Sequence, residues 1–223
     1  AEQALISAEV YERKALDHFY SAEFREAEEL YKKAIALEPE NPFYWNGLAD
    51  SYLFQLLLAA GRLDSRFYSA ANEFLDAKPA PPDAAILKSM WEALTRARRL
   101  AEARTRANAN DAGAFYALAV SHAIEAHFHL NLARKPLNAL HDAGTARDAA
   151  RRARQLNPQN SDANLILGGY EFAIGSVPMA FRWLLALGGH SGSKARGVEL
   201  GQDAMMHGKR ASTAALALLA VAY

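Results

Sequence analysis

The sequence predicts an all-α fold built from antiparallel helix pairs. Three observations lead there. First, the stretch "NPFYWNGLADSYLFQ" at 41–55 places Trp45, Leu48, Ala49 and Tyr52 on one helical face. Second, alanine makes up roughly a fifth of the chain, well above the usual share of any residue, and alanine loses no side-chain entropy in a helix. Third, the 13 glycines and 8 prolines punctuate the chain, and no segment alternates with period two.

The stripe at 45–52 has echoes. Thirty-four residues before Trp45 stands Tyr11, with Ala15 in the small-residue position. After it, "SAEFREAEELYKKAIALEPEN" sets Ala27, Tyr31, Ala34 and Pro39 at steps of four, three and five. Later echoes are Phe115-Leu118-Ala119-His122, Asn164-Leu167-Gly168-Glu171 and Leu216-Leu219-Ala220-Tyr223, and "ARDAARRARQLNPQN" repeats the second-helix pattern at Ala146, Ala150, Ala153 and Pro158. This pattern resembles the tetratricopeptide repeat (TPR): bulky-x-x-Leu-small-x-x-Tyr in the first helix, then Ala-x-x-x-aromatic-x-x-Ala with proline just after. The physical logic is close packing, in which small residues let backbones approach and rings fill the space between helices. The steps between first-helix echoes are 34, 70, 49 and 52, so the later units carry longer helices or inserted turns. The resemblance implies a right-handed α-solenoid, a TPR-like superhelix of about four irregular repeats, in a single domain over 1–223. The best repeats are 8–41 and 42–77, the irregular units 83–157 and the terminal units 158–223.

Element by element, residues 3–21 and 24–37 form the first pair. Residues 42–59 open the second and 65–77 are its partner. Prolines at 79, 81 and 82 make "KPAPPD" (78–83) a loop. Asp83 caps a long Ala/Arg-rich helix to about 107. Helices follow at 112–131, 136–156, 161–174, 177–187, 192–207 and 211–223. The last helix, "ASTAALALLAVAY", has almost no charge, whereas terminal solenoid units usually show a polar outer face. Its apolar surface is therefore expected to be covered by further chain, by the fold, or by a second copy in a homo-oligomer.

Composition narrows the function classes. With 25 basic and 25 acidic residues, the net charge recruits neither nucleic acid nor an anionic membrane. Segment 1–41 is acid-rich and 88–106 and 134–154 are Arg-rich; these read as solvated helix faces, since no aromatics interleave with the arginines as nucleic-acid stacking platforms. There is no cysteine, which excludes disulfide and thiolate chemistry. No uncharged apolar run is long enough for a membrane span. The start at Ala1-Glu2-Gln3, without Met, suits an exported or periplasmic bacterial protein after signal-peptide removal, and equally a trimmed chain.

Candidate chemistry is sparse. His122, Glu125 and His129 share one face of a helix and could ligate a metal, but the zinc-protease spacing is absent, and His122 fills the repeat's ring position; packing is the preferred reading. His127 points elsewhere. "GGHSGSKARG" (188–197) could hold an anion at a helix N-terminus, but a loop joining two helices is the preferred reading. "FRWLLALGG" is expected to be buried between repeats. Nucleophile elbows, phosphate loops and nucleotide fingerprints are absent, so the protein is read as a non-enzyme without cofactor or metal.

In the TPR family the first helices line a concave groove where ligands lie. Carried over, the resemblance places Phe19 and Tyr20, then Phe43, Asn46, Asp50 and Phe54, then Tyr116, then Phe172 in that groove. Glu9, Glu12, Leu16, Leu53, Asp162, Leu165 and Gly169 occupy further groove positions. Some members grip a chain-terminal carboxylate with Lys, Arg and Asn; here those positions hold Glu12, Leu16, Asn46 and Asp50, which is partly the wrong sign. The expectation is therefore a non-catalytic scaffold or adaptor whose apolar, aromatic groove takes a protein or peptide partner. The alternative is a small-ligand-binding accessory protein, linked to transport, with a pocket in the irregular middle units.

Overall fold

The computed structural model describes residues 7–63 and 81–222. The expected helix 65–77 and residues 3–6 of the first one lie outside this range. Among the described residues there are ten helices and no strand. They are α1 (Ala8–Tyr20), α2 (Phe24–Leu37), α3 (Pro42–Ala59), α4 (Ala84–Ala107), α5 (Ala112–Asn131), α6 (Pro136–Leu156), α7 (Asp162–Ser176), α8 (Met179–Leu187), α9 (Lys194–His207) and α10 (Ser212–Ala222). The chain groups into two compact units. The first holds Ala1–Leu100 and Ile124–Ala139; the second holds Ala101–Ala123 and Leu140–Tyr223.

Local chemistry explains where the helices start. Asn41 accepts the Phe43 N–H at 3.2 Å, and Pro42 takes the first helical position, where a missing N–H costs nothing. Asp83 Oδ1 accepts the N–H groups of Ala85 and Ile86 at 2.8 and 3.1 Å and starts α4. Asp111 accepts the Ala114 N–H at 2.9 Å at the start of α5 and is gripped from α4 by both ends of the Arg104 guanidinium. Burial alone would raise the Asp111 carboxyl, but these hydrogen bonds hold it below its ordinary range.

In the first unit, α2 packs against both α1 and α3. The small residues Ala15, Ala27, Ala34 and Ala49 are fully buried, which is what close helix approach requires. The Tyr31 ring lies so close over Gly47 that a Cβ there would stand 2.2 Å from it. The Trp45 indole donates to the Pro39 carbonyl at 2.7 Å and closes the loop between α2 and α3. Gln55 on α3 donates to Glu28 on α2 at 2.7 Å. The turn from α1 to α2 puts Ala22 in the left-handed region at φ 61°.

In the second unit α7 packs against α9, and α10 packs on both. The α7–α9 seam is lined by glycines. A Cβ on Gly168 would meet the Gly197 carbonyl at 2.9 Å, and one on Gly197 would meet the Gly168 carbonyl at 2.8 Å. Between these helices the chain makes the short α8. Val177 and Pro178 break it from α7, and Arg182 on α8 donates to the Val177 and Gly175 carbonyls at the end of α7. Its face Met179-Trp183-Leu187 is exposed, Trp183 at 59%. Burial of the whole "FRWLLALGG" segment is thus not observed: the i, i+4, i+8 spacing turns this stripe to solvent. On α10, Ala215 and Leu219 are buried while Leu216 stays 56% exposed, so the fold covers one side of the uncharged last helix.

Candidate functional site

In the first unit a row of rings links three helices. Phe19 on α1 meets Phe54 on α3 edge-on at 4.8 Å, and Phe54 meets the His127 ring of α5 at 5.4 Å. Phe24 of α2 closes the cluster from behind, 5.4 Å from Phe54. Edge-to-face geometry of this kind sets the partially positive edge of one ring on the negative face of the next. Tyr20 stands at the end of the row, 37% exposed, its ring edge-on to Phe19 at 5.3 Å.

Along α3, Asn46, Asp50 and Phe54 recur every turn. Asn46 is buried, and Phe43 and Asp50 are half-buried. Burial pushes the Asp50 carboxyl up to about 7, because the surroundings disfavour its charged form. The same effect on the opposite charge type pushes His127 down to about 4. The row therefore carries a weakly acidic carboxyl and a neutral imidazole beside an aromatic wall. His127, which helix spacing sets off the face shared by His122, Glu125 and His129, meets the Phe54 ring.

The three residues singled out as metal ligands have other engagements. Glu125 accepts from Arg98 of α4 at 2.5 Å. His129 is tilted against Trp91, ring centres 6.4 Å apart. In the second unit, His122 and the buried Asp142 place a ring nitrogen and a carboxylate oxygen within 4.8 Å of each other. Asp142 was invisible to spacing arguments because it lies on the next helix.

The second unit contains a cleft of about 440 Å³ that the sequence did not reveal as such. Arg147, Arg151 and Arg154 line it from α6, Arg196 from α9, and Glu171 from α7. Leu167, Leu200 and Pro158 supply apolar wall. The α6 arginines follow i, i+4, i+7 and so share one face. That spacing was legible in the Arg-rich stretch; the arrival of Arg196 was not.

Arg147 is held firmly. Its side chain is only 14% exposed, its Nε donates to Asp148 at 2.8 Å, and its Nη1 donates to the Tyr170 hydroxyl at 2.8 Å. The guanidinium also lies 4.7 Å from the Tyr170 ring centre. The hydroxyl in turn meets His190 Nδ1 at 2.7 Å. Burial and the nearby Arg147 charge push His190 below its ordinary value. His190 comes from the "GGHSGSKARG" segment. In that segment Ser193 caps α9, and its N–H donates to Glu171 at 2.9 Å, so a carboxylate of this chain already sits there.

Of the remaining sequence-derived groove residues, Tyr116 is buried at 6% exposure, and Phe172 is half-buried beneath the Lys194 ammonium, 5.8 Å from the ring centre. No family model matches the chain, and no curated protein matches it.

Proposed function

We propose that this protein is a non-catalytic helical-repeat scaffold, TPR-like in organisation, that holds an apolar or basic protein segment. The observation that supports the reading is the ring row Phe19–Phe54–His127, which sets α1, α3 and α5 of the first unit beside one another. Phe19 and Phe24 are buried core, so the side chains left to meet an extended or helical segment are the exposed Tyr20 and the half-buried Phe43, Asp50 and Phe54. No nucleic acid is involved in this reading, and no described helix is long and apolar enough to cross a membrane. A photo-crosslinking residue at Glu9, an exposed groove position, should capture partners, and Tyr20→Ala with Phe43→Ala should abolish that capture while circular dichroism stays unchanged. Unchanged capture rejects this surface. Self-association through the exposed Leu216 side of α10 belongs to the same proposal; light scattering that shows only monomer removes it.

A second reading has its own support. The 440 Å³ cleft of the second unit is in the size range of small-molecule sites, so the chain could serve as a ligand-binding accessory protein, with its pocket between residues 147 and 200, straddling the end of the irregular middle units rather than lying within them.

A further inference from the structure

We propose that the arginine-lined cleft binds a small organic oxyanion with two or more negative charges, a phosphate ester or a polycarboxylate. The inference rests on the small-ligand reading and names its chemical class.

Four guanidinium groups and one carboxylate line the cleft, an imbalance that a nearly neutral chain does not need for solubility. Like charges at i, i+4 on one helix repel rather than stabilise. The chain relieves this only in part. Asp148 takes Arg147 at 2.8 Å and reaches Arg151 only at 3.8 Å, and Glu199 takes Arg196 at 2.6 Å. Glu171 is engaged by the Ser193 N–H. Among the described residues Arg154 has no ion pair, although it is half-buried at the cleft wall.

The cleft's inner wall is Arg147, whose side chain is 14% exposed, while Arg151 at 55% and Arg196 at 48% stand at its mouth. Arg147 is pre-positioned by Asp148, Tyr170 and His190, so its planar fork is ordered before anything binds. Arginine forks match carboxylate and phosphate oxygens two at a time. Leu167, Leu200 and Pro158 leave an apolar wall for a carbon skeleton.

The test is calorimetric titration of the whole chain at low salt with glycerol 3-phosphate and with citrate, with glycerol as the uncharged comparison. One-to-one binding of either anion is expected, weakening as salt rises; whichever probe is tighter tells phosphate ester from polycarboxylate. Arg151→Gln with Arg154→Gln should weaken binding by about tenfold or more, since charged hydrogen bonds are lost. Arg99→Gln, an exposed arginine of the first unit, should change nothing. Anion binding that survives in the double variant overturns the proposal, as does silence from both anions. Binding of glycerol without either anion overturns it while sparing the small-ligand reading; a wider panel of neutral and cationic metabolites that also fails to bind removes both.

Discussion

Asp162 Oδ1 accepts the backbone N–H of Ala211 at 3.0 Å, across 49 residues of chain. The same oxygen accepts the Arg210 N–H at 2.9 Å. A residue in the first turn of α7 thus satisfies the start of α10, and that start has no helical partners of its own. Asp162 is 7% exposed, so water cannot replace it. Asp162→Ala should cost about 2 kcal/mol, because one buried and one part-buried N–H lose their side-chain acceptor. Urea unfolding gives the size, and faster amide exchange at Ala211 locates it. Asp162→Asn keeps an acceptor oxygen and should cost less.

The glycine seam between α7 and α9 makes a sharper contrast. Gly168→Ala and Gly197→Ala each push a methyl onto backbone that cannot give way, and each should destabilise by about 1–3 kcal/mol. Because the two face each other, the double variant should fall short of or exceed the sum. Gly169→Ala, next door with open space around its Cβ, should stabilise by about 0.5–1 kcal/mol through helix propensity. Thermal melts of the three single variants separate packing from propensity.

Ala22 offers a backbone test. At φ 61° in the α1–α2 turn, a side chain is strained where glycine is not. Ala22→Gly should raise stability by about 0.5–1 kcal/mol despite the added freedom of the unfolded chain.

The first unit should have opposed pH slopes. His127 is depressed to about 4, so its contribution is intact above the unfolded value of 6.5 and is lost as pH falls from there toward 4. Asp50 is raised to about 7, so its contribution is intact below the unfolded 3.8 and is lost as pH rises toward 7. His127→Phe keeps an edge-on ring for Phe54 and should flatten the acid limb. Asp50→Asn should stabilise by about 1–2 kcal/mol at pH 8 and by little at pH 4, the full shift being discounted for partial exposure. Equal effects at both pH values would show that burial of charge is not what shifts Asp50.

The metal reading has a direct check. With Glu125 held by Arg98 and His129 against Trp91, the dialysed protein should carry no stoichiometric zinc. A bound equivalent that disappears in His122→Ala would reverse that expectation.

Much of the helical architecture was decided by local rules. Alanine-rich stretches, prolines at 42, 79, 81 and 82, Asn41 and Asp83 as caps, and small residues at 15, 27, 34, 49 and 168 can be read from sequence because each acts within a turn or two, or leaves a periodic mark. The ring contact of Phe54 with His127, the Asp162 cap on α10 and the meeting of Arg196 with the α6 arginines leave no such mark. They join residues tens of positions apart, where only the stacking of helices decides which faces meet. Hydrophobic periodicity tells which side of a helix is buried, not which neighbour covers it, and binding chemistry depends on the neighbour.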